Sequence, residues 1–181
     1  LIGNAKREGD TTHHVYTTTL DGTKIVKIND KGEDACSFYF PDGKRLLWTS
    51  TRDLTDLPKG NWSDPKQYPK GAELYESDLE GKNVKRLTNN QQYDAEAAVS
   101  PDGTKALYYD DGHYHVYDLV GKSSRNLTTG APTTFIDALI VIGNTALPTG
   151  EPMGDGFMMW QQVSQAMDPM DCGALLQRAC L

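Results

Sequence analysis

One short design occurs twice in this chain, first as Phe40-Pro41-Asp42-Gly43-Lys44-Arg45-Leu46-Leu47-Trp48-Thr49 and again as Ser100-Pro101-Asp102-Gly103-Thr104-Lys105-Ala106-Leu107-Tyr108-Tyr109. Proline presets φ at the first turn position, aspartate bonds the backbone two residues on, and glycine accepts the positive φ that closes the turn. The alternating apolar residues that follow are typical of a half-buried strand. Each copy therefore predicts strand, tight turn, strand, with structural roles for Pro41, Asp42, Gly43, Pro101, Asp102 and Gly103.

A second pattern, two strands around a turn that contains glycine, occurs three times. The turn glycines are Gly22, Gly81 and Gly121, which lie 59 and 40 residues apart, and the two Pro-Asp-Gly turns lie 60 residues apart. The first interval is longer because residues 53–71 insert a polar loop. Without this insertion both units approach the period of about 40–50 residues, with four strands each, that is typical of propeller blades.

These repeats predict an all-β fold built from β-propeller blades of four antiparallel strands. About two and a half to three blades are expected, which form an incomplete ring. The predicted units are the last two strands of one blade, two full blades and the start of another: residues 14–28, 34–88, 94–128 and 135–138.

The two ends of the chain differ from the repeats. Residues 1–12 are polar and are predicted to be frayed. All nine Tyr and every Lys precede residue 123, whereas all five Met follow residue 150. Residues 139–181 are therefore expected to be a non-repeat tail, with weak helical patterns at 157–167 and 173–180.

Composition excludes some partners. The formal net charge is −7, which argues against nonspecific binding to nucleic acid or anionic membranes, because both favour basic patches. No apolar run approaches the roughly 20 residues of a membrane span. Cys36, Cys172 and Cys180 are odd in number and lack a metal-site spacing, so their disulfide state stays open.

The repeats resemble the TolB-type propeller family over roughly residues 14–138. The resemblance rests on the two Pro-Asp-Gly strand pairs, on Asp78-Leu79-Glu80-Gly81 with Leu87-Thr88, and on Asp94-Ala95-Glu96. It implies a periplasmic or secreted protein. The repeat is shared by interaction propellers and by propeller domains of enzymes, so the resemblance specifies the fold far better than the activity.

Three functions follow as alternatives. The first is a non-enzymatic scaffold that binds a protein or peptide. The second is a fragment of the propeller of an enzyme, such as a polysaccharide lyase or a prolyl-oligopeptidase-like peptidase, although no nucleophile elbow, Walker loop or dinucleotide fingerprint is present. The third is a structural protein that assembles with further copies of itself, because an incomplete ring leaves sheet edges open.

The predicted binding face lies at the mouth of the propeller channel, where the connectors into each first strand meet the loops between second and third strands. Asp34, Asp94 and Asp137 each precede a first strand, and Trp62 lies in the inserted loop. Clustered carboxylates there would bind a basic peptide or a cation such as calcium. The alternative is that each aspartate caps a turn of its own blade; no other cofactor is expected.

Four histidines, His13, His14, His113 and His115, invite comparison with a zinc site. Repeat alignment places His14 and His113 at equivalent positions of third strands, where the second unit has Glu73. Third strands lie away from the channel, so these side chains are expected to serve packing or the surface rather than a metal.

Overall fold

The computed structural model describes residues 1–64, 66–110 and 112–127. Within these ranges the chain is all-β, and no helix is long and apolar enough to cross a membrane. The eleven strands are β1 (Ile2–Ala5), β2 (His14–Thr18), β3 (Ile25–Lys27), β4 (Asp34–Tyr39), β5 (Arg45–Ser50), β6 (Glu73–Asp78), β7 (Lys85–Arg86), β8 (Asp94–Val99), β9 (Lys105–Asp110), β10 (His113–Asp118) and β11 (Ser123–Asn126).

The strands form three antiparallel meanders, in which each strand pairs with its neighbour in sequence. Strands β1–β3 form a three-stranded sheet, and β4–β7 and β8–β11 form four-stranded sheets. We name these sheets the first, second and third blades. The inner strands β4 and β8 contact each other. Strand β1 contacts β4, the inner strand of the next blade, just as the second strand β5 contacts β8. The first blade therefore contributes the equivalents of second, third and fourth strands.

Strand β1 corrects the prediction that residues 1–12 are frayed. It pairs with β2 in the register Asn4↔Val15. The Asn4 side chain is buried, and Ser37 Oγ donates a hydrogen bond to Asn4 Oδ1 at 3.2 Å. Tertiary contacts with β2 and β4 thus order a segment whose own sequence carries no strand periodicity.

Both Pro-Asp-Gly turns have the predicted geometry. Asp42 Oδ1 accepts the Lys44 N–H at 2.8 Å, and Asp102 Oδ1 accepts the Thr104 N–H at 3.0 Å. Gly43 and Gly103 have φ of 65° and 71°, which other residues rarely adopt. The two aspartates are turn residues, as the sequence indicates.

The hydrophobic core lies between blades and is divided by β5. Leu46 and Trp48 pack with Val15 and Ile28 of the first blade. Leu47 packs on the opposite side, in a cluster that includes Tyr108 and other residues of the third blade. Burying such a side chain contributes about 1.5–3 kcal/mol, so the second blade is stabilised from both faces.

The predictions for Thr128, the strand start at 135–138, the tail at 139–181 and its two helices lie outside the described residues. The same holds for Asp137, Cys172 and Cys180.

Candidate functional site

Three loops meet at one end of the first and second blades. Thr12 Oγ1 donates to the Gly32 carbonyl at 2.7 Å, and the Thr51 N–H donates to the Glu33 carbonyl at 3.0 Å. A Cβ on Gly32 would lie 2.7 Å from the Arg52 nitrogen, so the backbones pack closely. These loops therefore share one face, which we name the channel-mouth face after its predicted place in a propeller; that it borders a channel stays a prediction. Its loops are residues 6–13, 29–33 and 51–72.

Asp34 begins β4, and its side chain is buried at this junction. Its Oδ2 accepts the Val15 N–H at 3.0 Å, and its Oδ1 accepts Asn29 Nδ2 at 2.6 Å. Burial raises the pKa of the carboxyl, against the effect of hydrogen bonds from Ser50, Val15 and Asn29. Because Val15 belongs to the first blade, Asp34 ties the second blade to the first.

Asp94 begins β8 and is 0% exposed. Asn90 Nδ2 donates to its two oxygens at 3.1 and 3.2 Å, and the Thr88 hydroxyl adds a hydrogen bond. Burial first, and then the charges of Asp110 and Glu73, raise the pKa of Asp94 to about 7. Thr88 and Asn90 follow β7, so Asp94 joins the third blade to the second.

These positions correct the expectation that Asp34 and Asp94 present carboxylates to a ligand. Each is buried at a different blade junction and is held by hydrogen bonds from the preceding blade. The capping alternative is nearer to the structure, although the bonds cross between blades. Within the described ranges no three His, Cys, Asp or Glu side chains form a group that could hold a metal ion. The calcium site, which also involves Asp137, stays a prediction.

The histidines occupy the predicted register. His14, Glu73 and His113 begin β2, β6 and β10. His14 is buried and His113 exposed. His13 and His115 each lie within 4 Å of one carboxylate oxygen. The part of the chain that the structure describes therefore does not bring the four histidines together on a metal.

Thr12, His14 and Asp34 lie in the order hydroxyl, imidazole, carboxylate that hydrolases use, but His14 Nδ1 makes no hydrogen bond with any described residue. Thr12 Oγ1 lies 3.3 Å from His14 Nε2, and His14 Nδ1 lies 3.5 Å from Asp34 Oδ2. The Thr12 hydroxyl, however, donates its one proton to the Gly32 carbonyl. A triad needs hydrogen bonds both from the hydroxyl to the imidazole and from the imidazole to the carboxylate, and the second of these is absent between His14 and Asp34.

A pocket of about 230 Å³ opens between the same loops. Leu54, Leu57 and Pro58 give it an apolar wall, and Thr12 and His14 contribute polar groups. It is smaller than the roughly 300–1,000 Å³ typical of sites for drug-sized ligands. The sequence did not predict this pocket because residues 1–12 were expected to be frayed.

The inserted loop places aromatic rings on the channel-mouth face beside the third blade. Tyr68 stacks on Tyr93 with ring centroids 3.9 Å apart, and Trp62 meets Tyr93 edge-on at 5.8 Å. Tyr109 contacts both tyrosines and also Tyr114. Trp62 is half-buried, as are Tyr68, Tyr109 and Tyr114. We name these five residues the aromatic cluster.

The inner strands carry a feature that the sequence did not reveal. Cys36 in β4 and Glu96 in β8 occupy equivalent positions, and each lies at an irregularity of strand pairing with positive φ, 35° and 56°. Such backbone conformations cost non-glycine residues of order 1–3 kcal/mol. Their side chains differ, so the repeat pattern of residue types could not mark this position.

Glu96 directly follows Ala95, which packs in one apolar cluster with Tyr93, Tyr68 and Trp62. Burial raises the pKa of its carboxyl. The pKa of Tyr68 is raised to about 12, first by burial and then by the charge of Glu96. Among the described residues, none makes a hydrogen bond or an ion pair with the Glu96 carboxylate. The residue itself is half-buried.

Comparison with solved structures identifies similar folds. The chain is similar to the crystal structure of TolB from Acinetobacter baumannii, with TM-score 0.53 and 22% identity over 74% of this chain and 30% of that one. It is also similar to a TolB structure from Agrobacterium tumefaciens, with TM-score 0.52 and 18% identity over 68% of this chain and 43% of that one. No protein-family model and no curated protein matches the sequence.

These likenesses show the fold at a coarse level: the three sheets resemble part of a TolB-like propeller. The chain spans less than half the length of either TolB structure. Activity, substrates and partners therefore have to be argued from the chain's own residues.

Proposed function

We propose that these blades are a scaffold that binds a protein or peptide segment on the channel-mouth face. The observation that carries the proposal is the aromatic cluster, in which rings from the inserted loop and from the third blade share one half-buried surface. Tyrosine and tryptophan are enriched among residues that dominate binding energy at interfaces. The buried Asp34 and Asp94 support this face from within and do not touch the partner.

The surrounding architecture supports the same proposal. The aromatic side chains are fixed by stacking, so little side-chain entropy is lost when a partner binds. The indole N–H of Trp62 is buried, and no described residue accepts a hydrogen bond from it. A partner carbonyl that reached it after a small loop shift would remove the cost of an unsatisfied donor, about 1–3 kcal/mol.

The proposal includes a periplasmic or secreted location, which rests on the resemblance to TolB-type propellers. A non-enzymatic role is preferred to the enzyme alternative because His14 Nδ1 makes no hydrogen bond with Asp34, so Thr12, His14 and Asp34 are not a connected triad.

Selection of peptides from a displayed random 15-residue library tests the proposal. Peptides recovered on the wild-type chain are then measured against Trp62→Ser and Tyr39→Ser. Tyr39 is an exposed aromatic residue at the other end of β4 and provides a matched control. We expect Trp62→Ser to weaken binding about tenfold or more, which corresponds to about 1.4 kcal/mol, and Tyr39→Ser to leave the affinity unchanged.

Two results would contradict the proposal. One is that no peptide from the library binds this chain more tightly than it binds an unrelated protein of similar charge. The other is a set of recovered peptides that bind the Trp62 variant as well as they bind the wild type.

A further inference from the structure

We propose that Glu96 forms a subsite for a lysine or arginine side chain of the bound peptide, at the edge of the aromatic cluster. This inference rests on the proposed peptide-binding function and adds the chemistry of one anchoring residue. The supporting observations are the backbone that presents Glu96, its lack of a partner within the described ranges, and its aromatic surroundings.

The backbone conformation at Glu96 changes the direction in which its side chain leaves the strand. At Glu96 the pairing of β8 with β9 shifts register, and φ is 56°. A bulge of this kind redirects a side chain that would otherwise follow the pleat of the sheet. The second blade repeats the deviation at Cys36 with φ of 35°. Two inner strands thus present their side chains from equivalent bulges, and one of the two is a carboxylate.

The carboxylate of Glu96 is short of stabilising contacts. A desolvated carboxylate is costly unless it gains hydrogen bonds or an opposite charge. Other buried acids of this chain have such partners. Glu73 Oε1 accepts a hydrogen bond from Arg86 Nη2 at 2.7 Å, and Asp94 Oδ1 accepts one from Asn90 Nδ2. Glu96 has none among the described residues, and its partial exposure leaves it accessible to a cation from outside.

The surroundings favour an organic cation over a metal ion. Calcium takes about six to eight oxygen ligands, whereas Glu96 is one carboxylate, and the equivalent position holds the Cys36 thiol. Aromatic rings attract ammonium and guanidinium groups through their faces and pack on the alkyl stems of lysine and arginine. Tyr68, whose pKa is raised in part by the charge of Glu96, is one such ring.

Small probes test the subsite without the unknown partner. The full chain, labelled with ¹³C at glutamate carboxyls, is titrated with n-butylammonium and n-butylguanidinium, with n-butanol and sodium chloride as controls. We expect both cations to lower the pH midpoint of the Glu96 ¹³Cδ resonance and to shift the amides of Ala95 and Ala97. The controls should leave them in place.

Glu96→Gln should abolish these amide shifts, whereas Glu80→Gln, at an exposed carboxylate, should preserve them. If Glu96→Gln does not fold, the titration of the wild-type resonance decides alone. Equal responses of Glu96 and Glu80, or none, would overturn the subsite. Arg178 is the one lysine or arginine beyond residue 130. A change in the Glu96 midpoint caused by Arg178→Gln would also overturn the subsite, because the chain would then supply its own cation.

The library peptides separate this inference from the proposed function. Peptides that depend on Trp62 are remade with norleucine for each lysine and citrulline for each arginine. The subsite is supported if one such peptide binds the wild-type chain about tenfold more weakly than its parent peptide does. The affinity for that peptide should then fall no further when the chain carries Glu96→Gln. If peptides that depend on Trp62 bind equally well after the norleucine and citrulline replacements, the subsite proposal is overturned and the scaffold proposal stands. A Glu96 response to butylammonium without any binding peptide would overturn the scaffold alone.

Discussion

At the scale of single residues, the most informative groups are the two aspartates that join the blades. Asp34 and Asp94 begin equivalent inner strands, and each accepts hydrogen bonds from the blade before it. Burying a carboxylate is costly, and its hydrogen bonds offset only part of that cost. The pKa of Asp94 therefore lies at about 7 in the folded chain, where ordinary pH changes titrate it.

Asp94→Asn is expected to reduce the pH dependence of stability between about pH 5 and about pH 8. The folded state raises this pKa from 3.8 to about 7, so it binds the proton more tightly than the unfolded state does. The free energy of unfolding of the wild type should therefore fall as pH rises through this window. At about 1.4 kcal/mol per pKa unit, the fall amounts to a few kcal/mol. Urea unfolding at several pH values measures it.

Asp42→Asn is the matched control. Hydrogen bonds from Lys44 and Arg45 lower the pKa of Asp42, so its stabilising effect is present above the unfolded pKa and is lost only in more acidic solution. This variant should keep the wild-type slope between about pH 5 and about pH 8. An Asp94→Asn variant with that same slope would contradict the assignment.

The sequence predicted where these aspartates lie but not what they do. Repeat spacing aligns Asp34 with Asp94 and so reports their register. It contains no information on exposure, which depends on Asn29 and Asn90 folding back from connectors of different length. Glu96 was missed for a related reason: a backbone deviation that two blades share, but with different side chains, leaves no pattern in the residue types.

At the scale of elements, the turn between the third and fourth strands of the second blade touches the first blade. Gly81 has φ of 71°, and a Cβ there would overlap the carbonyl oxygen of Ile28. Gly43, in the first Pro-Asp-Gly turn, has φ of 65° but open space around it. The two glycines therefore share a backbone requirement and differ in their packing.

Gly81→Ala is expected to destabilise the chain more than Gly43→Ala does. Both variants place a Cβ at positive φ, which costs about 1 kcal/mol. Gly81→Ala must also displace the Ile28 carbonyl, and overpacking of this kind costs roughly 1–3 kcal/mol more. Thermal unfolding of the two variants measures the difference. Equal losses of stability would show that the first blade does not pack on this turn.

Elements defined by local sequence were predictable, and elements defined by their neighbours were not. The Pro-Asp-Gly turns and the strands β5 and β9 follow from turn chemistry and alternation. Strand β1 does not, because Gly3 and Asn4 are poor strand formers that are held by pairing with β2 and by contact with β4. The pocket lined by Thr11 and Thr12, in the loop between β1 and β2, was missed with it.

At the scale of the whole molecule, the blades stack so that each contacts its neighbours in sequence. Neighbouring residues of β5 serve different interfaces: Leu46 faces the first blade, and Leu47 faces the third. Both are 0% exposed. In such an array, stability is approximately a sum of unit and nearest-neighbour terms.

Leu46→Ala and Leu47→Ala should therefore loosen opposite ends of the chain. Each is expected to cost about 2–5 kcal/mol, as large-to-small core substitutions do. Native-state hydrogen exchange should accelerate mainly at amides of β2 in the Leu46 variant and mainly at amides of β9 in the Leu47 variant. Identical exchange patterns in the two variants would show one undivided core and contradict the stacking arrangement.

The alternation along β5 also restricts how such a chain can change in length during evolution. Inserting or deleting one residue within the strand would exchange its two faces and place Trp48 in the wrong interface. The loop after β5 is not restricted in this way, because added residues there leave every strand register intact. The 60-residue spacing between the two Pro-Asp-Gly turns accordingly exceeds one blade period by an insertion on the channel-mouth face. Variation in length is thereby directed to the face that carries the aromatic cluster, where we propose that a partner binds.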